Sequence, residues 1–96
     1  MTQEEFIQRC DEVQSYWGHM MPMMAMEEAG ELIQAISKYE RKRNDVFPDA
    51  AKQDLIDEIG DMYISLMALQ IRYAPEIASL DERIEKRIEK KLRKHY

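Results

Sequence analysis

The run from Asp54 to Leu69, D-L-I-D-E-I-G-D-M-Y-I-S-L-M-A-L, constrains the fold of this chain more than any other stretch. Wound as a helix at about 100° per residue, it puts Asp54, Glu58, Asp61 and Ser65 on one narrow strip, and Leu55, Ile56, Ile59, Met62, Tyr63, Leu66 and Met67 over most of the rest. A helix apolar on nearly every side has to be enclosed by other elements. Carboxylates on such a helix lose hydration, and three remedies exist: protonation, a basic partner or a bound cation.

The chain has 96 residues, which predicts a single domain over residues 1–96 burying roughly 60–65% of its unfolded surface. Three small neighbours cannot easily cover the Asp54–Leu69 helix, so a homo-oligomer is expected. The net charge of −5 argues against general binding to nucleic acid or anionic membranes. That charge is unevenly spread. Residues 1–81 carry 16 acids and 7 bases, whereas residues 82–96 carry 3 acids and 7 bases, so the tail alone could meet an anion. Cys10 is the only cysteine, which removes any intrachain disulfide or thiolate zinc cluster. The start M-T-Q-E-E-F lacks a basic leader, and no apolar run reaches the ~18 residues of a membrane span. A cytoplasmic protein is expected.

Four helices are predicted. Thr2 and Glu5 form a capping box for the first, in which Phe6, Cys10, Val13 and Trp17 recur at helical spacing to about Tyr16. Gly18 stops it, and Pro22 suits the first turn of the second, which runs to about Arg43. The apolar arc of that second helix is Ala25, Ala29, Leu32, Ile33, Ile36 and Tyr39. N-D-V-F-P-D is a loop, Asp49 a candidate N-cap, and the third helix continues to about Tyr73 before Pro75. The fourth starts at Pro75, or at a Ser79–Glu82 capping box, and carries a thin seam of Leu80, Ile84, Ile88 and Leu92. No alternating strand pattern is present, so the class is all-α.

Glu28 and Glu31 lie three apart on the second helix, and Glu58 and Asp61 three apart on the third; antiparallel packing across the short loop would bring the two pairs together. Four converging carboxylates repel one another strongly at low dielectric unless cations sit between them. Oxygen ligands without Cys or His suit Mg²⁺ or Mn²⁺. A solvated acidic face is the plainer alternative, and what sets these pairs apart is their position beside core residues.

The segments M-E-E-A-G-E-L and D-E-I-G-D-M, with 26 residues separating Glu31 from Glu58, resemble the ExxE…ExxD signature of the MazG-like, all-α nucleoside triphosphate pyrophosphohydrolases. The resemblance covers the second and third helices, about half of the chain; the first and fourth match in character only. It implies a four-helix bundle-like fold completed by assembly into a dimer or tetramer. It also implies Mg²⁺-dependent cleavage of a nucleotide between its α and β phosphates, with Glu28, Glu31, Glu58 and Asp61 as metal ligands. Similar proteins carry a lysine, often with an asparagine and a tyrosine, near the C-terminus; Tyr96 agrees, and the asparagine is absent.

Glu27 and Asp54 are candidates for the base or for supporting the ligands, with Glu27 turned further from the core than Glu28. Lys38, two turns beyond Glu31 on nearly the same face, could reach outer phosphates, as could Lys86, Lys90, Lys91, Arg93 and Lys94. Trp17, His19, Tyr39 and Phe47 are aromatic candidates for the base, and Ser65 faces the same cleft. The methionines from Met20 to Met26 read as pliable packing and not as a copper site. Two other functions compete: a phosphoribosyl-ATP pyrophosphohydrolase, although the segment before the first motif does not match, and a non-catalytic helical assembly or regulatory module.

Overall fold

A computed structural model describes residues 1–46, 48–77 and 79–93. The described residues contain no strand: α1 spans Gln3–Trp17, a single 3-10 turn Gly18–Met20, α2 Met21–Lys42, α3 Asp49–Tyr73 and α4 Asp81–Arg93. The all-α reading holds. None of these helices is long and apolar enough to cross a membrane.

Local chemistry sets most boundaries. The Thr2 hydroxyl accepts from the Glu5 N–H at 3.1 Å, and the Glu5 carboxylate accepts from the Thr2 N–H at 3.2 Å, so the capping box is complete. Gly18 ends α1 at φ 55°, a left-handed conformation that glycine adopts without penalty. The turn is pinned from afar by Arg72, whose Nη1 donates to the Gly18 carbonyl at 3.0 Å. Pro22 sits in the first turn of α2 as expected. Two capping expectations are corrected. Pro48 occupies the N-cap of α3 and Asp49 is its first helical residue, where a carboxylate still favours the positive end of the helix dipole. Ser79 lies at the start of α4, but its hydroxyl takes the Asp81 N–H at 3.1 Å, one residue before the Glu82 that a capping box requires.

The α2–α3 hairpin forms the body of the fold. Met21 and Ala25 from the start of α2 pack with Ala68 from the later half of α3, with Trp17 and Leu69 against them. Toward the loop, Ala35 and Lys38 of α2 share a cleft with Asp54 and Glu58 of α3, so the two helices run antiparallel. α1 lies along another side of α3, with Phe6, Cys10 and Val13 at Ile64 and with Ile7 at Ile71. The first turn of α4 borders a cavity through Asp81 and Ile84, opposite Ile7 of α1 and Met67 and Ile71 of α3, but the α4 backbone makes no close approach to the other helices and all its residues are exposed.

The core is small for the length of chain. Among the described residues only Cys10, Met21, Ala25, Ala35, Ala51, Ser65 and Ala68 are buried. The core face of α2 is Met21, Ala25, Leu32, Ala35 and Tyr39; Ile33 and Ile36, expected inside, are exposed. Alanines at the contact let the backbones approach closely and leave no room for more. Ala68→Leu is therefore expected to cost about 1–3 kcal/mol by overpacking, read as a lower urea midpoint.

Candidate metal centre

α2 and α3 present their acids to each other because Glu28 and Glu31, like Glu58 and Asp61, are one turn apart on faces that meet in the antiparallel pair. One carboxylate oxygen from each of Glu28, Glu31 and Glu58 lies within 4.8 Å of the other two. Asp61 stands outside this trio, but its charge acts on both Glu28 and Glu58. Oε2 of Glu28 and Oε2 of Glu58 are each buried without a hydrogen-bond partner, as is the hydroxyl of Ser65, one turn beyond Asp61. Ser65 is wholly enclosed, at 0% exposure.

Desolvation raises the carboxyl of Glu28 above its ordinary 4.5, and the charges of Asp61, Glu31, Glu58 and Glu27 add to the effect. Glu58 is raised first by desolvation, then by the charges of Glu31 and Asp61, by hydrogen-bonding contact with Glu31 and by Asp57. Among the described residues no cation pairs with the trio: the ion pairs are Arg9–Glu12, Glu40–Arg43 and Glu82–Lys86, all on exposed surfaces.

The sign of the pH dependence follows. A carboxyl whose folded value is raised stabilises the protein most below its unfolded value, and that contribution is lost as pH rises through the elevated folded value. The metal-free protein should melt higher in mildly acidic buffer, just above 4.5, than at neutral pH. Glu28→Gln should flatten that difference, as scanning calorimetry in chelator would show.

Beside the trio opens a cleft of about 260 Å³ lined by Glu31, Gln34, Ala35, Lys38, Asp54, Asp57 and Glu58. Lys38 and Asp54 are thus brought beside the trio. Gln34 and Asp57 were not singled out in the sequence; the signal was present in their spacing, since Gln34 lies between Glu31 and Lys38 on the same face, and Asp57 one turn beyond Asp54. Glu27 is exposed and does not line the cleft. Tyr39 is half-buried and also lies outside the cleft lining. Trp17 is packed against the Met21, Ala25 and Ala68 cluster. His19 is exposed on the 3-10 turn, and the methionines divide, with Met21 in the core and Met20, Met23 and Met26 exposed. Lys86 and Lys90 are carried on α4, away from the acids, and Lys86 Nζ pairs with Glu82 at 3.3 Å. Phe47, Lys94 and Tyr96 lie outside the described residues.

The donor set suits a hard divalent cation. It consists of oxygen atoms alone, two of them buried and unsatisfied, in a group that forms no ion pair among the described residues. No family model, no curated protein and no solved structure matches this chain.

Proposed function

We propose that this chain is a Mg²⁺-dependent nucleoside triphosphate pyrophosphohydrolase of the MazG-like kind, with Mn²⁺ as a possible substitute metal, acting as a homo-oligomer. The observation that carries this reading is the meeting of Glu28, Glu31 and Glu58 with two orphaned carboxylate oxygens. The cleft alongside adds one lysine, Lys38, and two further acids, Asp54 and Asp57, the kinds of group that a phosphate chain and an attacking water require.

In this reading Glu28, Glu31, Glu58 and Asp61 hold the cations, which would screen the phosphate charge and acidify a water. Lys38 supplies a positive charge to the outer phosphates. Asp54 is better placed than Glu27 to take a proton, because it lines the cleft whereas Glu27 faces solvent. Addition of one water across the α–β anhydride yields a nucleoside monophosphate, pyrophosphate and the proton that Asp54 accepts.

Screening the natural ribo- and deoxyribonucleoside triphosphates together with phosphoribosyl-ATP for pyrophosphate release, with and without magnesium, tests this. Magnesium-dependent release from at least one nucleoside triphosphate is expected. Release from phosphoribosyl-ATP alone would move the assignment to that hydrolase, and release from none would remove the catalytic reading. A second reading, a non-catalytic helical assembly that uses cations to hold its hairpin together, is favoured by one observation: among the described residues that line the cleft, Lys38 is the only lysine or arginine.

A further inference from the structure

Where α2 and α3 touch, the buried places go to small side chains, Ala25, Ala35, Ala51 and Ala68, and among the described residues Ser65 is the one polar group buried with them. A serine differs from an alanine by one oxygen. Packing alone is served by the methyl group, and enclosing a hydroxyl without a partner costs free energy that an alanine would not incur. A serine within a helix ordinarily turns its hydroxyl back on a carbonyl one turn earlier. Ser65 makes no such bond: its Oγ is enclosed and unpartnered. It is also absent from the cleft lining, so the sequence-based expectation that it faces the substrate cleft is not met.

The register of the hairpin shows what Ser65 does face. Ala25 of α2 meets Ala68 of α3, and Ala35 shares the cleft wall with Glu58. The same number of residues separates Ala25 from Ala35 on one helix and Glu58 from Ala68 on the other, so the two strips run in step between these anchors. Glu28 lies three residues beyond Ala25, and Ser65 three residues before Ala68, which sets them level across the contact. Charge agrees with that register. Of the acids acting on Glu28, Asp61, one turn before Ser65, acts most strongly. Oε2 of Glu28 is likewise buried without a partner, so an enclosed donor and an enclosed acceptor occupy the same level of the hairpin.

We infer that Ser65 is a positioning residue of the metal centre, holding the Glu28 carboxylate in the orientation in which it ligates a cation; this rests on the cation site proposed above. A carboxylate that binds a metal through one oxygen swings unless the other is restrained, and hydrogen bonds from neighbouring groups supply that restraint. The Ser65 hydroxyl donates to Glu28 once the side chain turns toward it, or across one enclosed water. In both arrangements the same hydroxyl restrains the same carboxylate.

Calorimetric titration of Mn²⁺ into the metal-free full chain tests this. Ser65→Ala should weaken Mn²⁺ binding about tenfold, while its melting temperature in chelator equals or exceeds that of wild type, because a methyl group replaces an unpartnered hydroxyl. On a Glu28→Ala background the same substitution should weaken binding no further, since the group it acts through is gone. Saturable binding of equal strength in wild type and Ser65→Ala would overturn the inference and leave the cation site standing. A tenfold loss that persists on the Glu28→Ala background, or a lower melting temperature of Ser65→Ala in chelator, would assign the hydroxyl to the fold and overturn it too. No saturable binding to wild type would remove the cation site and the role of Ser65 together.

Discussion

Glu58→Gln is expected to remove pyrophosphate release while leaving the metal-free protein as stable as wild type or more stable. Glu58 is one corner of the trio, and its carboxylate is opposed by Glu31, Asp61 and Asp57 with one oxygen buried and unpartnered. The amide keeps the shape and removes the charge, so it relieves repulsion in the folded state and simultaneously withdraws a ligand. Losing a group that fixes the charge-stabilising centre of a reaction lowers turnover on the order of 10²–10³-fold. Asp61→Asn should behave in the same direction. Retained activity in either variant would dissolve the ligand assignment, and a collapse in helicity would mean that these acids serve the fold itself.

Magnesium is expected to raise the melting temperature by about 10 °C or more at saturation. A ligand that binds only the folded state adds about 2.7 kcal/mol at about a hundred times its dissociation constant, and each kcal/mol moves the midpoint of a domain of this size by about 4–8 °C. The effect arises because the carboxylates are forced together only in the hairpin; in the unfolded chain the 26 residues between Glu31 and Glu58 let them separate. Sodium at equal ionic strength should do much less, and the Glu58→Gln variant should show a reduced magnesium response. A wild-type midpoint indifferent to millimolar magnesium would count against a cation site of any kind.

The local parts of this structure were legible in the sequence because they depend on a few adjacent residues. Thr2 with Glu5, Gly18 and Pro22 act within one turn, and each does what its side chain or backbone dictates. The convergence of the acids was legible one level up, since one-turn spacing and a short loop leave an antiparallel hairpin little freedom to keep the pairs apart. What periodicity could not separate was an apolar residue that the hairpin buries from one that it leaves exposed. Ile33, Ile36, Ile59 and Leu66 carry the same apolar signal as Leu32 or Met62, yet the hairpin contact selects small residues, and Ala35, Ala51 and Ala68 take the buried places.

The same limit applies to charge. The sequence grouped four ligands, while the structure draws three oxygens together and keeps Asp61 at one remove, a difference in side-chain reach that spacing does not encode. Trp17 reads equally well as a stacking platform or as core, and its neighbours Met21 and Ala68 put it in the core. The fourth helix has strong amphipathic character because Ile84, Ile88 and Leu92 recur among charges, but a seam does not say against what it closes.

The central claim is that Glu28, Glu31, Glu58 and Asp61 form one divalent-cation site, and direct titration of Mn²⁺ into metal-free protein, followed by electron paramagnetic resonance of the free ion, tests it without reference to any substrate. Wild-type protein should withdraw Mn²⁺ from solution saturably, and Glu28→Gln or Glu58→Gln should each weaken that binding by about tenfold or more. Binding of equal strength in all three proteins, or no saturable binding in the wild type, would contradict the account.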